Sequence, residues 1–320
     1  MRIRGEYWAV AAALCFIGLE LSVRTAAPYA PANLGSFVRI WPLIVGSWIG
    51  TLASRSGREG LALLFKKGNA VLLGCLAVDG VFNMWLGNAL KLHAMSKGGI
   101  VLTLTAVEVG QLFGTALFVR WWFGHRVSAM VLAGMAVICV GTALASWSQA
   151  FVVGWPGVLG ISVLAGLCFA ASVTAVGYVL RNGVGLWPAL SISTSVGLVV
   201  AGIVAAVTGQ APTLANIGRI GATGTFFLLL SGVAFACALF FLTGALQRIS
   251  IVSANAISGA NGAAAALVGA VIFGPSVTGL LVVGVVLVAI GAVMVRTRNA
   301  RDEIEDAPRG RSNGPVAVTH

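Results

Sequence analysis

Ten apolar runs, each about 20 residues long, divide this sequence, and polar residues gather in the gaps between them. About 20 apolar residues of helix are needed to cross the hydrocarbon core of a bilayer. Because lipid offers the backbone no hydrogen-bond partners, such runs must form helices. The sequence therefore predicts an all-α membrane protein with ten transmembrane helices. The predicted spans are 7–25, 34–53, 69–90, 98–120, 127–147, 155–179, 184–207, 224–244, 250–272 and 276–296.

Composition supports a lipid-embedded chain. Hydrophobic residues make up 58% of the 320 residues and charged residues 9%, whereas soluble domains carry roughly 25% charged residues. The net charge of +11 would favour nucleic acid in a soluble protein. Here the basic residues lie between the apolar runs, as the positive-inside rule requires. We therefore expect the lipid bilayer, and not nucleic acid, as a partner, and a disordered polar tail at 297–320.

The distribution of basic residues predicts the orientation in the membrane. With the N-terminus inside, fifteen of the 20 lysines and arginines fall in cytoplasmic segments. Four fall in outer loops, namely Arg24, Lys91, Lys97 and Arg219. This bias predicts a multi-pass protein of the cell (inner) membrane with both termini in the cytoplasm.

The sequence also repeats itself at long range. The matches at a shift of 150 residues are 123–128 with 273–278, Gly134 with Gly284, and Gly141 with Gly291. Earlier in each half the shift drifts, and Trp41-Pro42 matches Trp187-Pro188 at a shift of 146. We therefore predict two five-helix repeats, 1–147 and 155–296, followed by the tail. Because five is odd, the second repeat is inverted relative to the first, an arrangement typical of secondary transporters.

These motifs together resemble the ten-helix EamA-type branch of the drug/metabolite transporter superfamily. The similarity covers residues 7–296 and includes Phe37-Val38-Arg39 at the start of helix 2. It also includes the turns Phe123-Gly124 and Phe273-Gly274 before helices 5 and 10. The resemblance implies a secondary transporter that moves a small-molecule metabolite or drug, often outward, by alternating access and without ATP. We expect an exporter that is a monomer or a homodimer.

Three acids lie inside predicted spans: Glu20, Asp79 and Glu108. A charged side chain at the bilayer centre costs at least about 2.5–3.5 kcal/mol on insertion scales. Such residues persist where they face a cavity, pair with another charge or change protonation. The alternative is a structural ion pair within the helix bundle.

Glu108 belongs to a polar stripe on helix 4. Thr105, Glu108 and Gln111 follow one another at intervals of three residues, so they share a face. Shifted by 150 residues, the same positions are Asn255, Ser258 and Asn261 on helix 9. We predict that both stripes line one cavity between the repeats. The alternative is hydrogen bonding between packed helices, at about 0.6 kcal/mol per bond.

The other two acids have candidate partners nearby. Asn83 follows Asp79 by four residues and shares its face. Glu20 has Arg24 four residues on, and Arg39 lies at a similar depth in helix 2. A Glu20–Arg39 pair, a gate and an anion-binding arginine are all consistent with that placement. Because a dry site favours the neutral acid, Glu108 or Asp79 is predicted to bind and release a proton.

Matched prolines suggest hinge points for alternating access. Pro42 and Pro188 lie early in helices 2 and 7, where a proline removes a backbone hydrogen bond and can kink a helix.

The sequence has no phosphate-binding G-x-x-x-x-G-K-[ST] loop, no metal-ligand constellation and no Ser/His/Asp set at compatible depths. We therefore expect no cofactor, no metal and no enzymatic activity. The competing interpretation is a non-transporting polytopic membrane protein, such as a scaffold, a receptor or an intramembrane enzyme. Among transporters, a uniporter or an uptake carrier is the alternative to a proton-coupled exporter.

Overall fold

The chain is all-helical. The structure, a computed structural model, describes residues 5–123, 129–147, 155–246, 248, 264–265, 267–269, 271–272 and 278–305. Across these ranges it forms ten α-helices and one π-helical segment. The α-helices are α1 Gly5–Ala26, α2 Ala32–Ala53, α3 Arg55–Leu64, α4 Ala70–Asp79, α5 Asn88–Phe123, α6 Ala129–Trp147, α7 Trp155–Arg181, α8 Leu186–Val207, α9 Leu214–Leu246 and α10 Gly279–Glu305. The π-segment is Gly80–Gly87.

Six of the described helical stretches are long and apolar enough to span a membrane. They are Tyr7–Ala26, Ala32–Ala53, Ala70–Trp122, Pro156–Arg181, Leu186–Val207 and Ala215–Leu246. Two shorter apolar helices, Leu132–Ala145 and Gly279–Gly291, occupy the fifth and tenth predicted spans. The chain is thus a multi-pass helical protein. The ninth predicted span, 250–272, lies mostly outside the described residues, so the count of ten stays a prediction.

The third and fourth predicted spans are joined rather than separated by a loop. The stretch Ala70–Trp122 is helical except at Gly99, whose φ of 76° and ψ of 178° break α5 into two helical parts. Glycine tolerates this positive φ because it has no Cβ. The outer loop predicted at 91–97 is therefore wrong. Helix continues through it because Leu92, Ala94 and Met95 are buried against the bundle.

A π-helical segment interrupts the third span at its middle. Gly80–Gly87 has i→i+5 hydrogen bonding, and the side-chain amide of Asn88 donates to the backbone carbonyl of Asn83. The glycines at both ends allow close packing. A Cβ on Gly80 would lie 2.6 Å from the carbonyl oxygen of Ser193, and one on Gly87 would lie 2.7 Å from the Phe169 ring. The segment is therefore held between α7 and α8.

The long helices pack in pairs that join the first half of the chain to the second. The tightest pairs are α5 with α7, α6 with α10, α1 with α9, and α2 with α8. Between α2 and α8, Thr51 and Ser191 hydroxyls hydrogen-bond at 2.7 Å, and the Trp48 indole donates to Ser195 at 3.0 Å. Hydroxyl and indole groups thus hydrogen-bond across the contact between these two helices.

Glycines set the contact between α6 and α10. A Cβ on Gly141 would lie 2.7 Å from the Gly284 carbonyl oxygen, and a Cβ on Gly291 would lie 2.6 Å from that of Gly134. Such distances leave no room for a side chain, so the two backbones touch. The contacts run in opposite order along the two helices, which are therefore antiparallel.

The two matched prolines occupy different positions. Pro42 lies inside α2, where it removes the hydrogen bond to the Val38 carbonyl. Pro188 lies in the first turn of α8, which begins at Leu186. An amide at that position has no partner within the helix anyway, so no internal hydrogen bond is lost. The prediction of two equivalent proline hinges is therefore wrong for Pro188.

Two other features refine the sequence predictions. Helix α3 follows α2 directly, capped by the Ser54 hydroxyl, which accepts from the Gly57 amide at 3.1 Å. Its exposed side carries Arg55 and Glu59, paired at 2.8 Å. At the other end of the chain α10 continues to Glu305, so residues 297–305 of the predicted disordered tail are helical. The remainder of that tail lies outside the described residues.

Candidate functional site

A cavity lies inside the bundle, between α1, the π-segment, α5, α7 and α9. About 80 Å³ of it can hold the centre of a water molecule. It is therefore a narrow cavity suited to a compact solute. Rings of Phe16, Phe169 and Phe235 form much of its apolar wall. Its polar lining residues are Glu20, Asn83, Asn88, Lys91, Glu108 and Gln111.

A buried ion pair forms one side of this cavity. The Lys91 ammonium donates to Glu20 Oε1 at 2.6 Å, and both side chains are 5% exposed. Lys91 also lies 5.4 Å above the centroid of the Phe169 ring. The pairing joins α1 to the start of α5. It keeps both charges out of lipid at a much lower cost than either would have alone.

The predicted partners of Glu20 are engaged elsewhere. Arg24 donates to the carbonyl of Met95 at 2.9 Å. Arg39 forms no salt bridge with Glu20 among the described residues, although the two are close enough for their charges to interact. The structure thus pairs Glu20 with Lys91 instead. The sequence prediction failed because it placed Lys91 in an outer loop.

Arg39 is a fully buried cation without a hydrogen-bond acceptor. Its side chain is 1% exposed, and its Nε, Nη1 and Nη2 atoms have no hydrogen-bond partner among the described residues. The guanidinium lies 4.9 Å from the centroid of the Phe235 ring, which lines the cavity. Arg39 therefore sits directly behind the cavity wall. Glu20, Lys91 and Arg39 are called the charge cluster below.

The predicted polar stripe on the fourth span is only partly in the cavity. Glu108 and Gln111 line it. Thr105 is fully buried, and its hydroxyl donates to the carbonyl of Val101 at 2.8 Å, so it does not contribute to the lining. The matching residues of the second half, Asn255, Ser258 and Asn261, lie outside the described residues. The prediction that two stripes face one another thus stays a prediction.

Asp79 lies beside the cavity rather than in its lining. Its carboxylate accepts hydrogen bonds from the Asn83 amide, at 3.2 Å, and from the Ser172 hydroxyl of α7. The predicted sharing of a face by Asp79 and Asn83 is confirmed. Asp79 is 1% exposed, and Asn83 connects it to the cavity because the same residue lines the wall.

Sequence reasoning missed Lys91 and Asn88 as cavity residues. A signal was present for Lys91, because Leu90, Leu92 and Met95 continue the helical spacing on both sides of it. A single lysine within such a pattern, in a chain with three intramembrane acids, indicates a partner for one of them. No comparable signal identified Asn88, whose role depends on the π-segment.

Within the described residues, no group of three histidines, cysteines or acids is placed to hold a metal ion. The five cysteines are free thiols. The cavity chemistry therefore consists of one ion pair, one additional cation, one acid and side-chain amides. Groups of these kinds are chemically able to bind and orient a solute, or to exchange a proton.

Comparison with known proteins gives the fold and nothing finer. No family model matches the chain, and no curated protein matches it. Twenty-eight chains of solved structures match it. One is a crystal structure described only as that of a protein, with a TM-score of 0.61, 14% identity, and coverage of 94% of this chain and 100% of the other. At that identity the likeness shows a shared fold alone. The likeness supports the all-helical fold, and the six long apolar helices indicate a multi-pass membrane protein.

Proposed function

We propose that this protein is a secondary transporter that moves a small solute across the membrane by alternating access. The observation that carries the proposal is the narrow cavity inside the bundle, lined by Glu20, Lys91, Glu108 and Gln111. Ionisable residues at membrane depth are costly, and they typically mark solute or ion pathways. A scaffold has no need of a charged internal cavity.

Helix pairing supports an inverted repeat, on which the transport proposal draws. The repeat predicted from sequence maps Gly134 onto Gly284 and Gly141 onto Gly291. If each residue is replaced by its repeat equivalent, the contact of Gly141 with Gly284 becomes the contact of Gly291 with Gly134. Both contacts occur in the structure. A contact set that is unchanged when the halves are exchanged is what a pseudo-two-fold axis produces.

The pairing of α2 with α8 fits the same symmetry, because these helices carry the matching Trp-Pro motifs. We therefore propose the ten-helix, two-repeat architecture of EamA-type carriers, with both termini in the cytoplasm. The predicted direction of transport is outward. Rocking of the two repeats about the cavity would expose it to each side in turn.

Proton coupling is proposed to act through Glu108 or Asp79. Glu108 lines the cavity, so a bound solute can respond directly to its charge. Asp79 is connected to the cavity only through Asn83 and has two hydrogen-bond donors of its own. Glu108 is thus the better placed of the two to exchange a proton with a solute site.

Transport by purified protein in liposomes tests the proposal. A mixture of metabolites is presented with and without an imposed pH gradient, and accumulated solutes are identified by mass spectrometry. We expect at least one solute to accumulate when the gradient is imposed. The Glu108→Gln variant should lose this gradient-driven accumulation but retain exchange of solute for solute.

The matched control is Glu59→Gln, which removes an acid from the exposed helix α3. It should transport like the parent protein. Asp79→Asn tests the second candidate acid in the same assay. If Glu108→Gln and Asp79→Asn both accumulate solute at the parent rate, coupling through these acids is excluded and a cycle based on Glu20 is the better description. Absence of any transported solute from a broad mixture would reject the transporter proposal itself.

A further inference from the structure

The charge cluster beside the cavity has more positive than negative charge. It contains two cations, Lys91 and Arg39, and one anion, Glu20. A guanidinium cannot be deprotonated in a protein. The cluster therefore carries one uncompensated positive charge inside the bundle, on side chains that are almost entirely buried.

Most hydrogen-bond donors in the cluster have no acceptor among the described residues. The Lys91 ammonium has three N–H groups and makes one hydrogen bond, to Glu20. The five N–H groups of Arg39 make none among the described residues. A buried polar group without a partner is rare in native structures and calls for an explanation. Glu20 Oε2 is also without a hydrogen-bond partner among the described residues, but a single carboxylate oxygen cannot accept from all the remaining N–H groups of both cations.

Most of the remaining cavity lining is apolar. Phe16, Phe169 and Phe235 line it together with leucines and valines. Two of these rings are the same ones on which Lys91 and Arg39 rest. A ligand in this cavity thus meets aromatic rings along most of its length and cationic donors at one end.

We propose that the cavity binds a small organic anion with an apolar body, whose anionic group is held by Lys91 and Arg39. This inference rests on the proposed transport function, because it assigns a substrate class to the same cavity. Glu20 fixes Lys91 in place but leaves Arg39 without a hydrogen-bonded acceptor. The anion supplies that acceptor and cancels the excess charge. Phe235, between Arg39 and the cavity, is the ring that must move to admit it.

Glu108 determines when the anion can bind. When Glu108 is neutral, the cavity keeps one excess positive charge from the cluster. When Glu108 is ionised, its negative charge cancels that excess, and binding of the solute anion is then disfavoured. A Glu108→Gln variant, which is permanently neutral, should therefore bind the anion at least as tightly as the parent protein.

Three probes with one scaffold test the proposal, namely benzoate, benzylammonium and benzyl alcohol, which carry a negative, a positive and no charge on the same ring. Their binding to the full chain in lipid nanodiscs is measured by calorimetry. We expect benzoate to bind at least about tenfold more tightly than benzylammonium, the equivalent of one charge-assisted hydrogen bond. Arg39→Gln should weaken benzoate by at least about tenfold, leave benzyl alcohol unchanged, and be partly rescued by Arg39→Lys.

Arg24→Gln is the matched control, because Arg24 belongs to α1 near the cluster but donates to the Met95 carbonyl. It should bind benzoate like the parent protein. Folding is monitored by thermal unfolding without ligand. Arg39→Gln should not lower the melting temperature, because it removes an unpaired buried charge and leaves the Glu20–Lys91 pair intact.

Tighter binding of benzylammonium than of benzoate would overturn the proposal. So would equal weakening of benzoate by Arg39→Gln and Arg24→Gln. The outcome is separable from that of the transport assay. Transport of some solute by a protein that does not bind benzoate would reject the anion site alone, whereas benzoate binding by a protein that moves no solute would reject the transport function.

Discussion

Lys91 and Glu20 are separated by 71 positions in the chain, yet their side chains meet at 2.6 Å inside the bundle. Lys91 lies in the first turn of α5, the helix that follows the π-segment, and Glu20 lies in α1. The pair is a cross-link between the first helix and the third span. It is also the anionic and cationic edge of the cavity, so the same two residues connect two helices and supply charge to the cavity lining.

Breaking this pair from one side should be costly. Glu20→Gln or Lys91→Met alone leaves one charge buried without a partner, and we expect a loss of about 3–5 kcal/mol in the free energy of unfolding. The double variant Glu20→Gln/Lys91→Met removes both charges and should recover most of that loss. Thermal or denaturant unfolding in lipid nanodiscs gives the free energies of unfolding of the parent protein, the two single variants and the double variant, which together form a double-mutant cycle. Additive losses in the double variant would show that the two residues do not act as a pair.

The contact between α6 and α10 should not accept even one methyl group. In Gly141→Ala the new Cβ would lie 2.7 Å from the Gly284 carbonyl oxygen, so the helices must separate. We expect a destabilisation of about 1–3 kcal/mol, and a similar one for Gly284→Ala. Gly160→Ala in α7 is the matched control, because its Cβ would have no neighbour within 4 Å. Equal melting temperatures for Gly141→Ala and Gly160→Ala would contradict the close approach.

The π-segment should depend on the Asn88 side chain. Its amide donates to the buried carbonyl of Asn83, and Asn88→Ala removes that donor. We expect a loss of about 1–3 kcal/mol, the penalty for an unsatisfied buried acceptor. Asn182→Ala is the control, since Asn182 makes the same kind of bond, to the Tyr178 carbonyl at 2.9 Å, at an exposed site. A smaller loss in Asn88→Ala than in Asn182→Ala, in the same unfolding assay, would refute this role.

Both chain termini are predicted to face the cytoplasm. Single cysteines at His320 and in the connection 148–154, in a background without the five native cysteines, report the side of the membrane by labelling with an impermeant thiol reagent. We expect labelling from outside at 148–154 and only after permeabilisation at His320. External labelling of His320 in intact cells would contradict either the orientation or the count of ten helices.

Helix positions were predictable from the sequence because apolar run length alone dictates them. The spans at 34–53 and 184–207 agree closely with α2 and α8. The length of an apolar run does not show where one helix ends and the next begins when no polar residues separate them. At Gly99 a single glycine with positive φ makes the break, and Lys91 before it remains helical.

The candidate site was predicted only in part from the sequence. An acid in an apolar run is conspicuous, so Glu20, Asp79 and Glu108 were all candidate site residues. Glu20 and Glu108 line the cavity, and Asp79 lies beside it. Their partners were not, because pairing depends on how separate helices are rotated and how deep they lie. Arg24 and Arg39 were plausible partners for Glu20 by depth, but the residue with the right rotation was Lys91.

The π-segment links backbone register to this ion pair. Each residue of register that Gly80–Gly87 gains or loses turns the helix beyond it by about 100° and shifts it by about 1.5 Å along its axis. Lys91 lies four residues past the end of that segment, whereas Glu20 is fixed on a different helix. A change of one residue in register would therefore rotate and translate α5 together, moving the Lys91 ammonium away from Glu20. Asp79, which precedes the segment, would stay in place.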